Sequence, residues 1–296
     1  MKKRILCIAD KVGRIQYNRM KMFENVINDF DIDVITIRRS FDESKYDLIY
    51  YTSYKHFDRM PCKKKCIASI TSHKGLRPKS IKKSFKLLKK FYGISVNNLH
   101  LYKGYIDAFP NIYYTPNGVN TDVYSFREKP KNVVTTFGWV GNKDRSEKNY
   151  KKILLPLKEK FKNNPNVKFK IVAPSKSDKV AKLLTREQMI EYYRSIDFLL
   201  VTSTTEGTPN PALEAMSCGV PVISTMVGNV TEIINETNGF LINTDVPSFK
   251  HTIKLASRMT DNDYNIMSVN IAQSIRDGWS WAEQIKSWKK FFRDFL

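Results

Sequence analysis

Short, unbroken apolar runs alternate along this chain with longer stretches whose apolar residues recur at helical spacing. That alternation is the pattern of parallel sheets, with strands buried on both faces and joined by helices. Strands are expected near Ile5 to Ala9, Asp33 to Ile37, Asp47 to Tyr51, Cys66 to Ile70 and Ile94 to Val96. A second series is expected near Val133 to Val140, Val167 to Val172, Phe198 to Val201, Val220 to Ile223 and Gly239 to Ile242. Between Tyr124 and Asn132, Arg, Lys and Pro break the pattern, which divides the chain into residues 1–128 and 129–278. Residues 279–296 read as an aromatic helix, and no internal repeat is evident.

The densest chemistry lies between Glu206 and Ser224. Asn210 followed by Pro211 is a helix-start signal, Asn as the cap and Pro at the first helical position. The helix should run to about Ser217, where Gly219 and Pro221 end it before the strand Val220 to Ile223. Its unpaired N-terminal amides and positive dipole end suit a diphosphate. Glu206 in the preceding loop and Glu214 one turn inside the helix are expected to face one small cavity, where carboxylates accept hydrogen bonds from sugar and ribose hydroxyls.

Glu206 and Glu214, followed by Ala-Met-Ser-Cys-Gly-Val-Pro-Val-Ile, resemble the signature of the retaining GT-B glycosyltransferases of family four, the group 1 glycosyl transferases. The resemblance extends to Pro116-Asn-Gly-Val-Asn120 with Phe126, Gly138 to Gly141 with Lys148, Tyr193 to Ser203, Gly228 to Glu232 and Asn238 to Ile242. It implies an α/β fold of two Rossmann-like parallel-sheet domains facing a central cleft, with residues 279–296 crossing back onto the first. It also implies a nucleotide-diphosphate sugar as donor, a UDP-sugar being expected, with no permanently bound cofactor and no required metal.

On this resemblance Lys148 stabilises the leaving diphosphate, Glu206 with the amides of Thr208 to Asn210 binds the transferred sugar, and Glu214 binds the ribose. Relatives carry an Arg directly after the Gly of the phosphate loop. Here that position is Asn142, so Lys143 or Arg145 would substitute. Pro209 replaces a usual Gly and removes an amide donor. In the first domain Gly13, after the first strand, and His73, after the fourth, match cleft positions that meet the donor. His73 is a candidate catalytic residue. No nucleophile is apparent, and the resemblance implies same-face attack.

A chain of 296 residues with 42% hydrophobic content can bury two cores. No apolar run approaches 18 residues and no signal peptide is apparent, so a cytoplasmic protein is expected, with a peripheral place at the inner membrane surface as a variant of that reading. The cysteines Cys7, Cys62, Cys66 and Cys218 fit a reducing compartment, and Cys62 and Cys66 lack a second ligand pair for zinc. Asp31-Ile-Asp33 is read as a turn rather than a metal motif.

Charge bears on the acceptor. The net charge is +21, and from Lys55 to Lys103 there are 14 Lys or Arg and one acid, Asp58. Lys55, Lys74, Arg77 and Lys79 follow strand ends and are expected to bind the acceptor, with Tyr54 among them, while Lys82, Lys83, Lys86, Lys89 and Lys90 decorate a helix with Ile81, Phe85 and Leu88 on its apolar face. Such a surface attracts a polyanion or an anionic membrane. With Tyr50, Tyr51, Tyr54 and Phe57 available for stacking, the first-ranked acceptor is a hydroxylated base in DNA, as in phage-type DNA modification. An envelope polysaccharide or glycolipid at an anionic membrane stands next, and a catalytically silent nucleic-acid-binding module is a minor alternative. No obligate protein partner is evident.

Overall fold

The computed structural model describes residues 1–73, 76, 78–174 and 184–296, the side chains of Pro78 and Lys79 excepted. The chain divides into two compact units, one of residues Met1–Pro116 with Ile285–Leu296 and the other of Asn117–Gln284.

The first unit carries β1 (Arg4–Ala9), α1 (Ile15–Val26), β2 (Asp31–Thr36), β3 (Leu48–Tyr51), β4 (Cys66–Ile70), α2 (Pro78–Leu88), β5 (Gly93–Val96), α3 (Leu99–Tyr105) and β6 (Ile112–Tyr114). All six strands are parallel, in the order β2-β1-β3-β4-β5-β6. Strands β3, β4 and β5 are buried along their whole length, which is why they read as continuous apolar runs. Strand β2 begins two residues earlier than its apolar run because Asp31 pairs with Arg4 in register. Asp31 and Asp33 therefore lie in the strand and not in a turn. At this edge position Asp33 accepts from the Arg4 guanidinium at 2.8 Å.

The second unit carries β7 (Thr135–Val140), α4 (Leu155–Phe161), β8 (Val167–Val172), α5 (Arg186–Arg194), β9 (Phe198–Val201), α6 (Asn210–Ser217), β10 (Val222–Thr225), α7 (Val230–Ile233), β11 (Gly239–Ile242), α8 (Val246–Ser257) and α9 (Asp261–Gly278). Its sheet is also parallel, in the order β11-β10-β9-β7-β8. The last helix, α10 (Trp281–Arg293), begins in this unit and belongs to the first from Ile285 onward. There Trp288, Phe291 and Phe292 are buried against Phe23 and Tyr50, and the Trp288 indole donates to the Pro116 carbonyl at 3.0 Å.

The division falls at Pro116 rather than at 128. Residues after it already run with the second unit: Val119 bridges Ser280, the Ser217 hydroxyl donates to the Tyr124 carbonyl at 2.6 Å, and Asp197 gathers Lys129 and Asn132. Strand β10 likewise starts at Val222, because Val220 is used in closing α6. Gly219 takes φ +80°, its amide donates to Met216, and the Val220 amide donates to Ala215, a two-bond helix stop that needs a left-handed residue.

Candidate active site

In the second sheet β7 lies between β8 and β9, so the chain leaves β7 to one side and returns on the other. Open α/β sheets bind ligands beyond the carboxyl ends of their strands at such a switch point. The residues just past β7 and β9 meet there. Lys148 ends a short turn, Ser146–Lys148, and its ammonium pairs with the Glu206 carboxylate at 2.7 Å, both side chains being nearly buried. The Ser203 hydroxyl donates to the same Glu206 oxygen at 2.8 Å. Taking two charges out of water is costly unless they pair and remain hydrogen-bonded, and this pair satisfies both conditions.

The backbone that presents Lys148 is held from three sides. Asn149 adopts a left-handed conformation, φ 53°, and its side-chain amide donates to the Thr202 carbonyl at 2.8 Å. The Thr202 hydroxyl donates to the Lys148 carbonyl at 2.6 Å and accepts from the Trp139 indole at 2.9 Å. Two residues on, the Thr204 amide donates to the Glu147 carbonyl at 2.9 Å. A π-helical turn, Tyr150–Leu154, follows. A small cavity beside this network is lined by Trp139, Lys148, Ser203, Pro209 and Pro211.

Helix α6 starts one residue earlier in its capping frame than the sequence implies. Pro209 is the N-cap, Asn210 is already helical, and no side chain caps the helix. The Asn210 side-chain oxygen instead accepts from the Asn117 side-chain amide at 3.4 Å. Gly228, at φ +55°, presses on the loop before the helix so closely that a Cβ would lie 2.5 Å from the Gly207 carbonyl oxygen, which ties the β10–α7 connection to the backbone between Glu206 and Pro209.

The two carboxylates do not share neighbours. Glu214 is partly buried and accepts from the Tyr193 hydroxyl at 2.7 Å. Burial raises its pKa, while hydrogen bonds from Tyr193 and Tyr124 act in the opposite direction. Of the cations considered beside Lys148, Arg145 turns onto Glu147, with Nε at 3.1 Å and Nη2 at 2.9 Å from the same oxygen. Asn142 accepts from the Asp144 amide at 2.8 Å, closing the loop on itself. Lys143 and Thr208 are engaged in contacts of their own.

In the first unit Gly13 follows β1 at φ +79° with open space around its Cα, so the requirement there is conformational. His73, half-buried past β4, lies against His100 with ring centroids 4.8 Å apart. Burial, followed by repulsion from His100, lowers its pKa to about 4, so the imidazole is neutral near pH 7 and can exchange hydrogen bonds with a hydroxyl. Lys55 is exposed and sits 5.6 Å above the Tyr54 ring. Lys74, Arg77 and the Lys79 side chain lie outside the described residues.

The aromatic platform expected for stacking bases is absent from the surface. Tyr50, Tyr51, Tyr54 and Phe57 are all buried. The Tyr54 hydroxyl meets Ser84 at 3.0 Å and that of Tyr51 donates to the Met60 carbonyl at 2.6 Å. These rings satisfy the core, so Tyr54 is no acceptor contact. The lysines of α2 and of the turn after it, in contrast, are exposed at 82, 83, 86, 89 and 90. Among the described residues no group of three or more His, Cys, Asp or Glu could hold a metal ion.

Residues 134–257 match the family model of the glycosyl transferases group 1. Over 114 residues this chain is 32% identical to an Escherichia coli UDP-Gal:alpha-D-GlcNAc-diphosphoundecaprenol alpha-1,3-galactosyltransferase. The aligned part covers 38% of this chain and 29% of the length of that relative. Two solved structures resemble the whole chain or most of it. Anabaena HepE, solved with UDP and glucose, superposes with a TM-score of 0.77 at 14% identity over 99% of this chain and 100% of its own. A variant of S. aureus TarM, solved with UDP, alpha-GlcNAc-glycerol and fondaparinux, gives 0.69 at 17% identity over 83% and 55%. The fold is therefore GT-B, two Rossmann-like parallel-sheet units.

The signals for Trp139, Asn149, Thr202 and Ser203 were weaker than those for Lys148 and Glu206. Ser203 closes the segment that resembles the family, and Asn149 follows Lys148 directly, but nothing in the sequence announces that their polar groups converge.

Proposed function

We propose that the chain is a retaining glycosyltransferase that moves a sugar from a UDP-sugar to a hydroxyl of a lipid-linked or envelope glycan. The observation that carries the reading is the buried Lys148–Glu206 pair at the switch point of the second sheet, beside the N-terminus of α6. When the donor arrives, its diphosphate competes with Glu206 for the Lys148 ammonium. The cation then lies where negative charge builds as the glycosidic bond breaks. Glu206, still held by Ser203, accepts from the hydroxyls of the transferred sugar, and Glu214, fixed by Tyr193, takes the ribose. No side chain is required as a nucleophile in this scheme, since the departing phosphate takes the acceptor proton on the face it leaves.

The acceptor class rests on different support. The relative from Escherichia coli acts, by its name, on a diphosphoundecaprenol-linked sugar, and TarM was solved with alpha-GlcNAc-glycerol. The exposed lysines of α2 supply a cationic face suited to anionic headgroups, whereas the rings that would have read DNA are in the core. We therefore place the activity at the cytoplasmic face of a membrane. No described helix is long and apolar enough to cross one.

The test is product formation followed by mass spectrometry, with a panel of UDP-sugars offered to a lipid-linked glycan extract and, separately, to hydroxymethylated DNA. A hexose-sized gain in the lipid fraction that disappears in Glu206→Ala supports the proposal. A gain on nucleosides alone would overturn the acceptor, and no gain with any donor would overturn the reaction.

A further inference from the structure

A second cavity, of about 420 Å³, lies within the first unit between the connection from β2 to β3 and the connection from β3 to β4. Its walls are Ile37 to Phe41 with Glu43 on one side and Arg59, Met60 and Pro61 on the other. Arg38 and Arg39 stand immediately past the carboxyl end of β2, on the edge of a parallel sheet where ligands bind. The volume is that of a small-molecule site.

Three arginines supply the charge of this cavity. Several arginines elsewhere, Arg4, Arg14, Arg145, Arg194 and Arg293, each meet a carboxylate. Among the described residues Arg38, Arg39 and Arg59 have no such ion pair, although all three line one cavity. The single acid in the wall, Glu43, is already committed, since its Oε2 accepts from the Lys63 and Lys64 amides at 2.9 and 3.1 Å. Three arginines thus line a concave site against a single carboxylate, which leaves its wall net positive. Guanidinium forks match phosphate oxygens two at a time. Ile37, Phe41, Met60 and Pro61 give the same site an apolar side.

We infer that this cavity binds the diphosphate of a prenyl-diphosphate-linked sugar, the arginines holding the phosphates and the apolar wall the first part of the lipid. The inference rests on the glycosyltransferase reading and makes it more specific, because it assigns the acceptor its own anion site, separate from Lys148.

The probe is N-acetylglucosaminyl diphosphate on a short alkyl chain, titrated into the full chain by calorimetry with UDP at saturation so that the donor site is filled. Binding is expected. The paired substitutions Arg38→Ala and Arg39→Ala, and Arg59→Ala alone, should each weaken it by ~10-fold or more, the scale of lost charge-assisted hydrogen bonds, while UDP affinity stays unchanged. Arg59→Lys should fall between, and inorganic pyrophosphate should compete where N-acetylglucosamine does not. Unchanged UDP binding with no probe binding, or with probe binding indifferent to the arginines, overturns this inference alone. Loss of sedimentation with phosphatidylglycerol vesicles in the arginine variants, with probe affinity intact, would assign the arginines to headgroups and overturn it as well. Failure of the chain to bind UDP at all removes the underlying reading.

Discussion

Asn149 shows how much of the site depends on one backbone conformation. At φ 53° it is the only non-glycine among the described residues with positive φ, and it is buried. An L-residue with a Cβ but no local hydrogen bond is strained there. Asn149→Ala should therefore lose both the tolerance for the left-handed region and the bond to Thr202, costing about 2 kcal/mol of stability. Asn149→Gly, which keeps the conformation and loses only the bond, should cost about half of that; urea denaturation of the two variants separates them. His73 gives a pH signature. Its folded pKa, about 4, lies below the ordinary 6.5, so between those values the unfolded chain binds the proton more readily. Its contribution to stability is present above pH 6.5 and is lost as pH falls toward 4. His73→Asn should flatten that part of the profile in chemical denaturation across pH, and an unchanged slope would show that the imidazole is not buried as described.

At the scale of elements, the central strands were the most legible: Cys66–Ile70, Phe198–Val201 and Gly239–Ile242 form from largely apolar runs, and Val167–Val172 from an alternation of apolar residues with Lys168 and Lys170. Strand β6 escaped notice because three residues, Ile-Tyr-Tyr, after a proline and an asparagine carry too little pattern, and it exists through its pairing with β5. The start of α6 was misread by one residue because Pro at either of the first two helical positions gives the same signal, and only the chain path showed Pro209 as the cap. Aromatic residues beside β3 were read as a surface because their neighbours are charged. In the fold those strand positions are covered on both faces. Helix α10 closes the core of the first unit with Trp288, which is 1% exposed and bonded to Pro116. Trp288→Ala should cost ~3–5 kcal/mol, read as a lowered midpoint in thermal or denaturant unfolding. A midpoint within error of the parent would mean that the helix does not pack there.

For the whole molecule, two sheets of one design divide the work unevenly along the sequence. The second unit carries the family match and the Lys148–Glu206 pair, so its role was legible in motifs whose chemistry needs fixed residue types. The first unit carries the basic surface and the arginine-lined cavity, where charge rather than motif speaks, and charge alone did not separate nucleic acid from membrane or glycolipid. Burial of the tyrosines removes the stacking platform from the nucleic-acid reading, and that was visible only in the fold. The account stands on Lys148 acting as the cation of a nucleotide-sugar site. Its most direct test is calorimetric titration of UDP into the parent chain and into Lys148→Ala. Saturable binding that weakens by ~10-fold or more in the variant, as loss of a charge-assisted contact requires, is the predicted result. Absence of binding in the parent, or equal binding in both, would contradict it.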